Sequence, residues 1–243
     1  MATDAPQAAV PGPYRPASGL TFWLSLLLCL GAVLDASGAL LSFVELAFFP
    51  GFGLAAAEPG SGEVLLAVAY FASGAASVLA LAATAAVFCA WAYRANANCR
   101  ALGASGMTFT PGWTAGWFFV PVMNLYKPYR ALREVYMASA PEADAETWRS
   151  GAVPALVRAW WGVWLLNGFL GQVSWRMSES RGDYSSSSAA WVGAAASAAG
   201  GAAAVLCLLL VRSIHSRLER KAGRLSEAGA RALQGRAYLS PGL

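Results

Sequence analysis

The sequence predicts an all-α membrane protein of four transmembrane helices, with both termini in the cytoplasm and one additional interfacial or re-entrant cytoplasmic segment. Two observations lead to this fold class. Hydrophobic residues make up 57% of the 243 residues and charged residues only 12%, about half the charged share of an average soluble domain. The charges are also clustered, and the stretches between clusters approach or exceed the roughly 20 apolar residues that a helix needs to cross a bilayer.

The chain opens with an arm, residues 1–18, that is rich in proline, alanine and glycine and is expected to be disordered in the cytoplasm. The first span follows at about residues 20–46 and is strongly apolar, with Asp35 and Glu45 as its only charged residues. A cleaved signal peptide is the alternative for this segment. Its apolar run is longer than a signal peptide requires and no small-x-small cleavage site follows, so we expect a retained helix.

Three further spans are predicted at about residues 64–93, 156–177 and 188–211, which together with the first define a membrane domain. The third of the four is the shortest, because its apolar run lies between Arg158 and Arg176. These two arginines would have to extend toward the headgroups to make it long enough. The complete membrane domain is expected at residues 20–216.

Small residues are concentrated in the second and fourth spans. The second contains the run 73–77, and the fourth contains Gly193, Ser197 and Gly201 at four-residue spacing. Small residues allow helix backbones to approach closely, which favours helix association in lipid. The pattern predicts that these two helices pack against each other.

The distribution of lysine and arginine predicts the orientation. The link 50–63 contains no basic residue, whereas the segment 94–158 and the tail 217–243 contain many. Basic loops remain in the cytoplasm, so both termini are expected inside. For the basic tail, a short surface helix and a solvated segment are both open, and Gly223 and Gly229 favour the solvated segment.

A layer of polar groups is predicted inside the bundle. An acid at mid-membrane costs about 2.5–3.5 kcal/mol on insertion scales, so Asp35 should face inward. Counting residues from the cytoplasmic ends places several polar side chains near its depth. The candidate layer consists of Asp35, Ser77, Asn167, Gln172 and Ser197. It forms either a proton or cation site, or a structural network around a protonated acid.

The most distinctive segment is residues 111–138 of the predicted cytoplasmic loop. Its apolar part, residues 113–126, is too short to span a bilayer and is interrupted by Pro121, so it is expected to be re-entrant or interfacial. Aromatic and basic side chains here suit lipid headgroups. The candidate lipid-headgroup or partner face comprises Arg94, Asn98, Trp113, Trp117, Asn124, Lys127, Arg130 and Arg133. In a structural alternative, Asn96 and its neighbours hydrogen-bond the backbone that the prolines leave unpaired.

This segment also carries a family resemblance. The matching stretches are Tyr93–Asn98, Ala101–Gly103, Thr110–Trp113, Gly116–Pro121, Asn124–Leu125 and Lys127–Pro128. Together they resemble the bacterial membrane family catalogued as domain of unknown function 4328, over roughly residues 20–217. The resemblance implies a multi-pass bacterial membrane protein and carries no activity, cofactor or catalytic residue.

Several classes of function lack support in the sequence. The four cysteines form no C-x-x-C pair and His215 is the single histidine, so we predict no metal site and no cofactor. No nucleophile motif is present, and no catalytic residue is assigned. The basic composition follows from the loops and indicates anionic lipid, not nucleic acid, as the partner.

We therefore expect a non-enzymatic envelope or scaffold protein of the bacterial cytoplasmic membrane, whose basic aromatic face contacts anionic phospholipid or a partner protein. A second copy of the chain is a further partner that the sequence leaves open. The alternative is a small transporter or a proton or cation pathway that uses Asp35 and the polar layer.

Overall fold

The computed structural model describes residues 13–49, 60–143, 145, 147–179 and 186–239. All regular secondary structure in these ranges is helical, as the sequence predicts. Residues 1–12 of the predicted arm, residues 50–59 of the first link and residues 180–185 of the third link lie outside the described residues.

Over the described ranges, four long α-helices and two short ones make up the fold. The long helices are α1 (Ser18–Phe48), α2 (Ser61–Ala101), α5 (Ala155–Glu179) and α6 (Ser186–Leu239). The short helices, which lie between α2 and α5 in the chain, are α3 (Pro111–Gly116) and α4 (Lys127–Ala138). Single 3₁₀ turns occur at Trp117–Phe119, Met123–Leu125 and Thr147–Ser150.

Three of these helices, α1, α2 and α6, are long and apolar enough to cross a membrane. Helix α5 is 25 residues long but is not among them. Tryptophans, two amides and the flanking Arg158 and Arg176 lower its hydropathy. The sequence prediction of spanning helices is therefore confirmed for three of the four, and the fourth stays a prediction.

Helix α6 continues far beyond the predicted end of the last span. The sequence favours a solvated tail from residue 217, whereas the structure is helical to Leu239. A glycine in a helix costs about 1 kcal/mol relative to alanine, but lengthening an existing helix needs no new nucleus. In addition, Leu218 and Lys221 are buried, at 2% and 4% exposure. Packing of this part of α6 therefore outweighs the low helix propensity of Gly223 and Gly229.

The chain divides into two compact units. The described residues of the first, here called the span unit, lie within 20–88 and 154–212. Those of the second, called the motif unit, lie within 1–19, 89–153 and 213–243. The motif unit contains the segment 111–138 with its distinctive motifs.

In the span unit, small residues of α6 lie against α1, and their predicted contact with α2 stays a prediction. A methyl group built on Gly200 would lie 2.8–2.9 Å from the carboxylate of Asp35, and one built on Gly38 would lie 3.0 Å from Oγ of Ser197. Gly193 approaches Ser42 of α1 in the same way. By contrast, Gly74 of α2 has no such neighbour within 4 Å. The faces of small residues therefore allow α1 and α6 to pack closely.

Polar side chains connect α1 with α2. The hydroxyl of Tyr70 donates a 2.8 Å hydrogen bond to Oε2 of Glu45, and the hydroxyls of Ser37 and Ser73 lie 3.4 Å apart. Glu45, which the sequence places near the outer end of the first span, thus has a partner on the neighbouring helix. Such bonds are worth about 0.6 kcal/mol on average between membrane helices.

The outer surface of the span unit is apolar. Phe71 is 80% exposed, and Phe48 and Leu79 are each 72% exposed. Many exposed large apolar side chains are typical of surfaces that face another protein or lipid. It agrees with the helices that are long enough to span a membrane.

The contact between α1 and α6 gives a first prediction. Gly200→Ala should lower the thermal unfolding temperature in detergent, because the new methyl group overlaps the Asp35 carboxylate, and overpacking costs about 1–3 kcal/mol. Gly74→Ala is the matched control: nothing lies within 4 Å of its methyl group, so the temperature should stay the same or rise slightly. Equal effects of the two substitutions would contradict the packing described here.

Candidate functional site

The loop before α3 is held by two side chains from the end of α2. Asn96, which is completely buried, donates through Nδ2 to the carbonyl of Phe109 at 2.9 Å and to Oγ1 of Thr114 at 2.8 Å. Arg100 donates to Oδ1 of Asn96 at 3.1 Å and to the carbonyls of Met107 and Phe109. The asparagine therefore bonds a backbone carbonyl two residues before Pro111, which agrees with the structural alternative for the motif.

Helix α4 holds the same loop from another side through Glu134. Its two carboxylate oxygens accept hydrogen bonds from the backbone N–H groups of Thr108, at 2.6 Å, and Phe109, at 3.0 Å. The side chain is only 7% exposed. Both oxygens of this carboxylate thus accept hydrogen bonds from the loop. At Phe109, side chains of α2 bind the carbonyl and Glu134 of α4 binds the N–H.

Asn98 has a different role from the one predicted. Its amide pairs with both backbone polar groups of Arg15, accepting from the N–H at 3.2 Å and donating to the carbonyl at 2.9 Å. It is 2% exposed. The asparagine is therefore not part of an exposed headgroup face, because its hydrogen-bonding groups are used to hold the chain just before α1.

The end of the predicted disordered arm is consequently ordered at residues 14 and 15. The hydroxyl of Tyr14 donates a 2.7 Å hydrogen bond to Oε1 of Glu219 on α6. Burial, reinforced by this hydrogen bond and by the nearby carboxylate charge, raises the pKa of Tyr14 above its ordinary value of 10.0. The phenol therefore remains a donor throughout the physiological pH range.

The extension of α6 packs on the C-terminal end of α4. Lys221 donates to the carbonyl of Ala138 at 3.1 Å, and Arg217 donates to Oγ of Ser139 at 3.2 Å and lies over the ring of Tyr136 at 4.3 Å. Cations are favourable at a helix C-terminus, where carbonyls lack intrahelical partners. Two basic residues of the predicted tail therefore cap α4.

The aromatic part of the motif begins at Thr110, which caps α3 by accepting a hydrogen bond from the N–H of Trp113. Pro111 is the first residue of the helix, a position that needs no N–H donor. The rings of Trp113 and Trp117 stack with centroids 4.5 Å apart, and Trp113 is 50% exposed. Both predicted tryptophans thus lie together on one short helical segment.

The break at Pro121 is a tight turn. The N–H of Met123 donates to the carbonyl of Pro121 at 2.7 Å, and Val122 between them has φ 63° and ψ −46°. These angles are those of a γ-turn, which is rare and strained. A β-branched residue at positive φ is unfavourable. The turn places the apolar side chain of Val122 on the surface, where it is 70% exposed.

Further apolar side chains are exposed on both sides of this turn. Phe119 is 71% exposed, Leu125 55% and Tyr126 41%. We call the exposed residues Phe119, Val122, Leu125 and Tyr126 the apolar tip. The described structure therefore exposes several apolar side chains in the segment that is too short to span a membrane.

Lys127 directly follows the apolar tip and lies among aromatic rings. Its ammonium nitrogen is 5.2 Å from the ring centroid of Trp117, 5.6 Å from that of Tyr126 and 5.9 Å from that of Phe109. Cation–π contacts of this length are attractive by about 0.5–1 kcal/mol at exposed sites. The rings fix the position of this charge beside the tip.

Arg130 and Arg133 lie on the exposed side of α4, one turn apart. In the described part of the chain, neither has a carboxylate within 4.0 Å. Arg94 and Asn124, the other members of the predicted face, are half-buried. All eight residues of the predicted face thus belong to the motif unit, and the two arginines of α4 are its exposed charges.

Sequence reasoning missed Arg149. Its guanidinium donates to the carbonyl of Gly106 and lies 4.8 Å from the ring of Trp148, whose indole N–H donates to the carbonyl of Ser105. Arg149 lines the same open pocket as Arg130 and Arg133. The only signal in the sequence is the pair of adjacent aromatic and basic residues, because the partner loop is more than 40 positions earlier.

The predicted polar layer is only partly assembled in the span unit. Asp35 and Ser197 both lie in the contact between α1 and α6. Ser77 and Asn167 are half-buried, and Gln172 is exposed, so the prediction that it faces the interior is wrong. Among the described residues, Asp35 has no hydrogen bond or ion pair.

The strained turn gives a second prediction. Val122→Gly should raise the unfolding free energy of the motif unit by about 1 kcal/mol, because the strain of about 1–3 kcal/mol exceeds the entropy cost of glycine. Thermal unfolding in a neutral detergent measures this. Val120→Gly is the control, since Val120 has a relaxed φ of −92° and its replacement should destabilise. Destabilisation by both would contradict strain at the turn.

The fold and the site define a helical protein with helices able to cross a membrane and a motif unit that displays an aromatic, basic surface segment. The chain belongs to the family described as Domain of unknown function (DUF4328), whose family model matches residues 64–216. This confirms the family that the motifs predicted, although the match begins at α2 and does not include α1. No curated protein and no solved structure matches the chain.

Proposed function

We propose that this chain is a non-enzymatic, four-span protein of the bacterial cytoplasmic membrane whose motif unit binds the anionic lipid surface on the cytoplasmic side. The observation that carries the proposal is the juxtaposition in one segment of the apolar tip and of three basic residues, Lys127, Arg130 and Arg133. A partner protein at the same face is the competing occupant.

The apolar tip supports membrane contact by its exposure. Phe119 and Val122 are exposed by 71% and 70%, and complete burial of such a side chain is worth about 1.5–3 kcal/mol. The strained γ-turn keeps Val122 outside the protein, where only a second apolar medium can bury it. Hydrocarbon at the headgroup boundary supplies that medium.

The basic side chains support an anionic surface. Arg130 and Arg133 lack carboxylate partners among the described residues, so their charges are available to phosphate groups. Each lysine or arginine near an anionic leaflet contributes about 1 kcal/mol to binding. Lys127 adds a third charge, held by rings that suit the interfacial region.

The orientation supports the cytoplasmic side. With α5 as the fourth span, the basic segment and the basic end of α6 fall on the same side, as the positive-inside rule requires. The 25 residues of α5 extend about 37 Å, which exceeds the roughly 30 Å of hydrocarbon. Arg158 and Arg176 near its ends can extend to the headgroups.

Thermal unfolding in detergent with added lipid tests the proposal. A lipid that binds only the folded chain stabilises it in proportion to the logarithm of its concentration over its dissociation constant. Phosphatidylglycerol should therefore raise the unfolding temperature and phosphatidylcholine should not. Equal shifts with the two lipids would show that the anionic headgroup is not recognised.

A second candidate function, a proton or cation pathway, rests on Asp35. Its carboxylate lies against Gly200 and has no hydrogen bond or ion pair among the described residues, and an acid within a membrane span is by default a functional candidate. Flux into liposomes that contain the purified chain, compared with Asp35→Asn, tests it. Identical flux in the two preparations removes this candidate.

A further inference from the structure

The motif unit contains an open pocket of about 280 Å³ that shares Arg130 and Arg133 with the proposed lipid face and adds residues which that face does not include. It lies between α4, the loop at Thr108 and the 3₁₀ turn Thr147–Ser150. The polar lining consists of Thr108, Arg130, Arg133, Glu134 and Arg149, with Trp148 beside them. Three arginines in one pocket of this size indicate an anionic ligand.

Helix geometry directs the α4 residues to this pocket. Positions 130, 133 and 134 are three and four residues apart, and such positions share one face of a helix. Glu134 binds the N–H groups of Thr108 and Phe109, which orders the part of the lining that these residues form.

Arg149 is positioned from the other side before any ligand arrives. Its guanidinium is bound to the carbonyl of Gly106 and lies over the ring of Trp148, and that ring is itself anchored to Ser105. Gly106 has φ +63°, and any side chain there would collide with the guanidinium. A side chain at this position would therefore strain the backbone and displace Arg149.

The charges of the pocket are unbalanced. Among the described lining residues there are three arginines and one carboxylate, and that carboxylate is engaged by two backbone N–H groups. No described arginine of the pocket has a carboxylate within 4.0 Å. The described lining therefore has a formal charge of two positive units.

We propose that this pocket binds a phosphomonoester group. Such a group carries about −1.5 to −2 charges at pH 7, which matches the lining, whereas a phosphodiester carries one. Arginine binds phosphate oxygens in a bidentate manner. The phosphomonoester belongs either to a lipid headgroup or to a soluble ester, and the lipid case rests on the proposed function.

Binding to the detergent-solubilised full chain tests this proposal with three probes. These are dioctanoyl phosphatidic acid, a phosphomonoester lipid; dioctanoyl phosphatidylglycerol, a phosphodiester lipid; and glycerol 3-phosphate, a soluble monoester. The chain should bind phosphatidic acid at least about tenfold more tightly than phosphatidylglycerol, since a hydrogen-bonded charge pair is lost with the diester. Binding of glycerol 3-phosphate identifies a soluble source, and its failure to bind or compete identifies the lipid.

Two substitutions, each with a matched control, test the pocket itself. Arg149→Gln should remove the preference for the monoester, while Arg220→Gln, which deletes an exposed arginine of α6, should keep it. Gly106→Ala changes no charge but displaces Arg149, and it should have the same effect as Arg149→Gln. Gly103→Ala is its control, because Gly103 also has positive φ, +90°, yet has nothing within 4 Å.

The outcomes separate this proposal from the proposed function. Equal affinity for the two lipids with no binding of glycerol 3-phosphate overturns the phosphomonoester site and leaves anionic-lipid binding intact. A monoester preference that survives Arg149→Gln also overturns it. If Gly106→Ala fails to fold, Arg149→Gln decides alone, with thermal unfolding to verify its fold.

Discussion

Replacing Asn96 with leucine is expected to lower the unfolding free energy of the motif unit by about 2–4 kcal/mol, because buried polar groups would lose their partners. The amide donates to Phe109 and Thr114 and accepts from Arg100. Leucine has a similar volume, so the substitution creates no large cavity. The loss is therefore chiefly one of hydrogen bonds in a site with no access to water.

Urea or thermal unfolding in neutral detergent, followed by intrinsic tryptophan fluorescence, measures this effect. Asn124→Leu is the matched control, because Asn124 is half-buried and its side chain has no hydrogen bond among the described residues. The control should change the unfolding free energy by less than about 0.5 kcal/mol. Equal losses for the two variants would show that Asn96 does not hold the loop.

Neutralising Lys127, Arg130 and Arg133 together, each to glutamine, should weaken binding of phosphatidylglycerol by about 100-fold. Each charge contributes about 1 kcal/mol at an anionic surface, and about 1.4 kcal/mol corresponds to a factor of ten. None of the three has a described carboxylate partner, so the fold should tolerate the change. The dissociation constant follows from the thermal shift as a function of lipid concentration.

The control removes the same amount of charge elsewhere. The exposed arginines on the extension of α6 are Arg220, Arg224 and Arg231. Their replacement by glutamine should change the dissociation constant by less than about threefold, because salt screens exposed charges that do not contact the lipid. If both triple variants bind equally weakly, net charge alone accounts for the affinity. Binding that survives in the first variant contradicts the assigned lipid face.

Much of the helical fold could be predicted because charge clusters interrupt long apolar runs. The apolar runs within α1, α2 and α6 are apparent in the sequence, and each of them is helical in the structure. The extension of α6 could not be predicted, since local propensity at Gly223 and Gly229 opposes it. Distant contacts, such as that of Lys221 with Ala138, decide in favour of the helix.

The candidate polar layer shows why depth is easier to predict than direction. Counting residues from a span end gives the height of Gln172 in the membrane, but not its angle around the helix axis. The structure places Gln172 on the exposed side of α5. Likewise, composition identified the small residues of α6 as a contact face but did not identify α1 as a helix that lies against them.

The motif segment likewise combines features that the sequence predicts with features that it does not. Its aromatic and basic character follows directly from the residues, and so do the break at Pro121 and the contact of Asn96 with the loop. The pairing of Asn98 with Arg15 spans 83 positions, and that of Arg149 with Gly106 spans 43. Such contacts between distant parts of the chain leave no local pattern that could be recognised in a single sequence.

The depth of residue 122 in an anionic bilayer tests the central claim most directly. A polarity-sensitive fluorophore is attached to Val122→Cys in a Cys29→Ala, Cys89→Ala background, in which the remaining Cys99 and Cys207 are buried. The same label at exposed Glu142 provides the aqueous reference.

In nanodiscs that contain phosphatidylglycerol, we expect the label at 122 to show blue-shifted emission and to be quenched by lipid-borne quenchers, while the label at 142 remains water-exposed. Identical emission and equal aqueous quenching at the two positions would contradict insertion of the apolar tip and, with it, the proposed membrane-surface role.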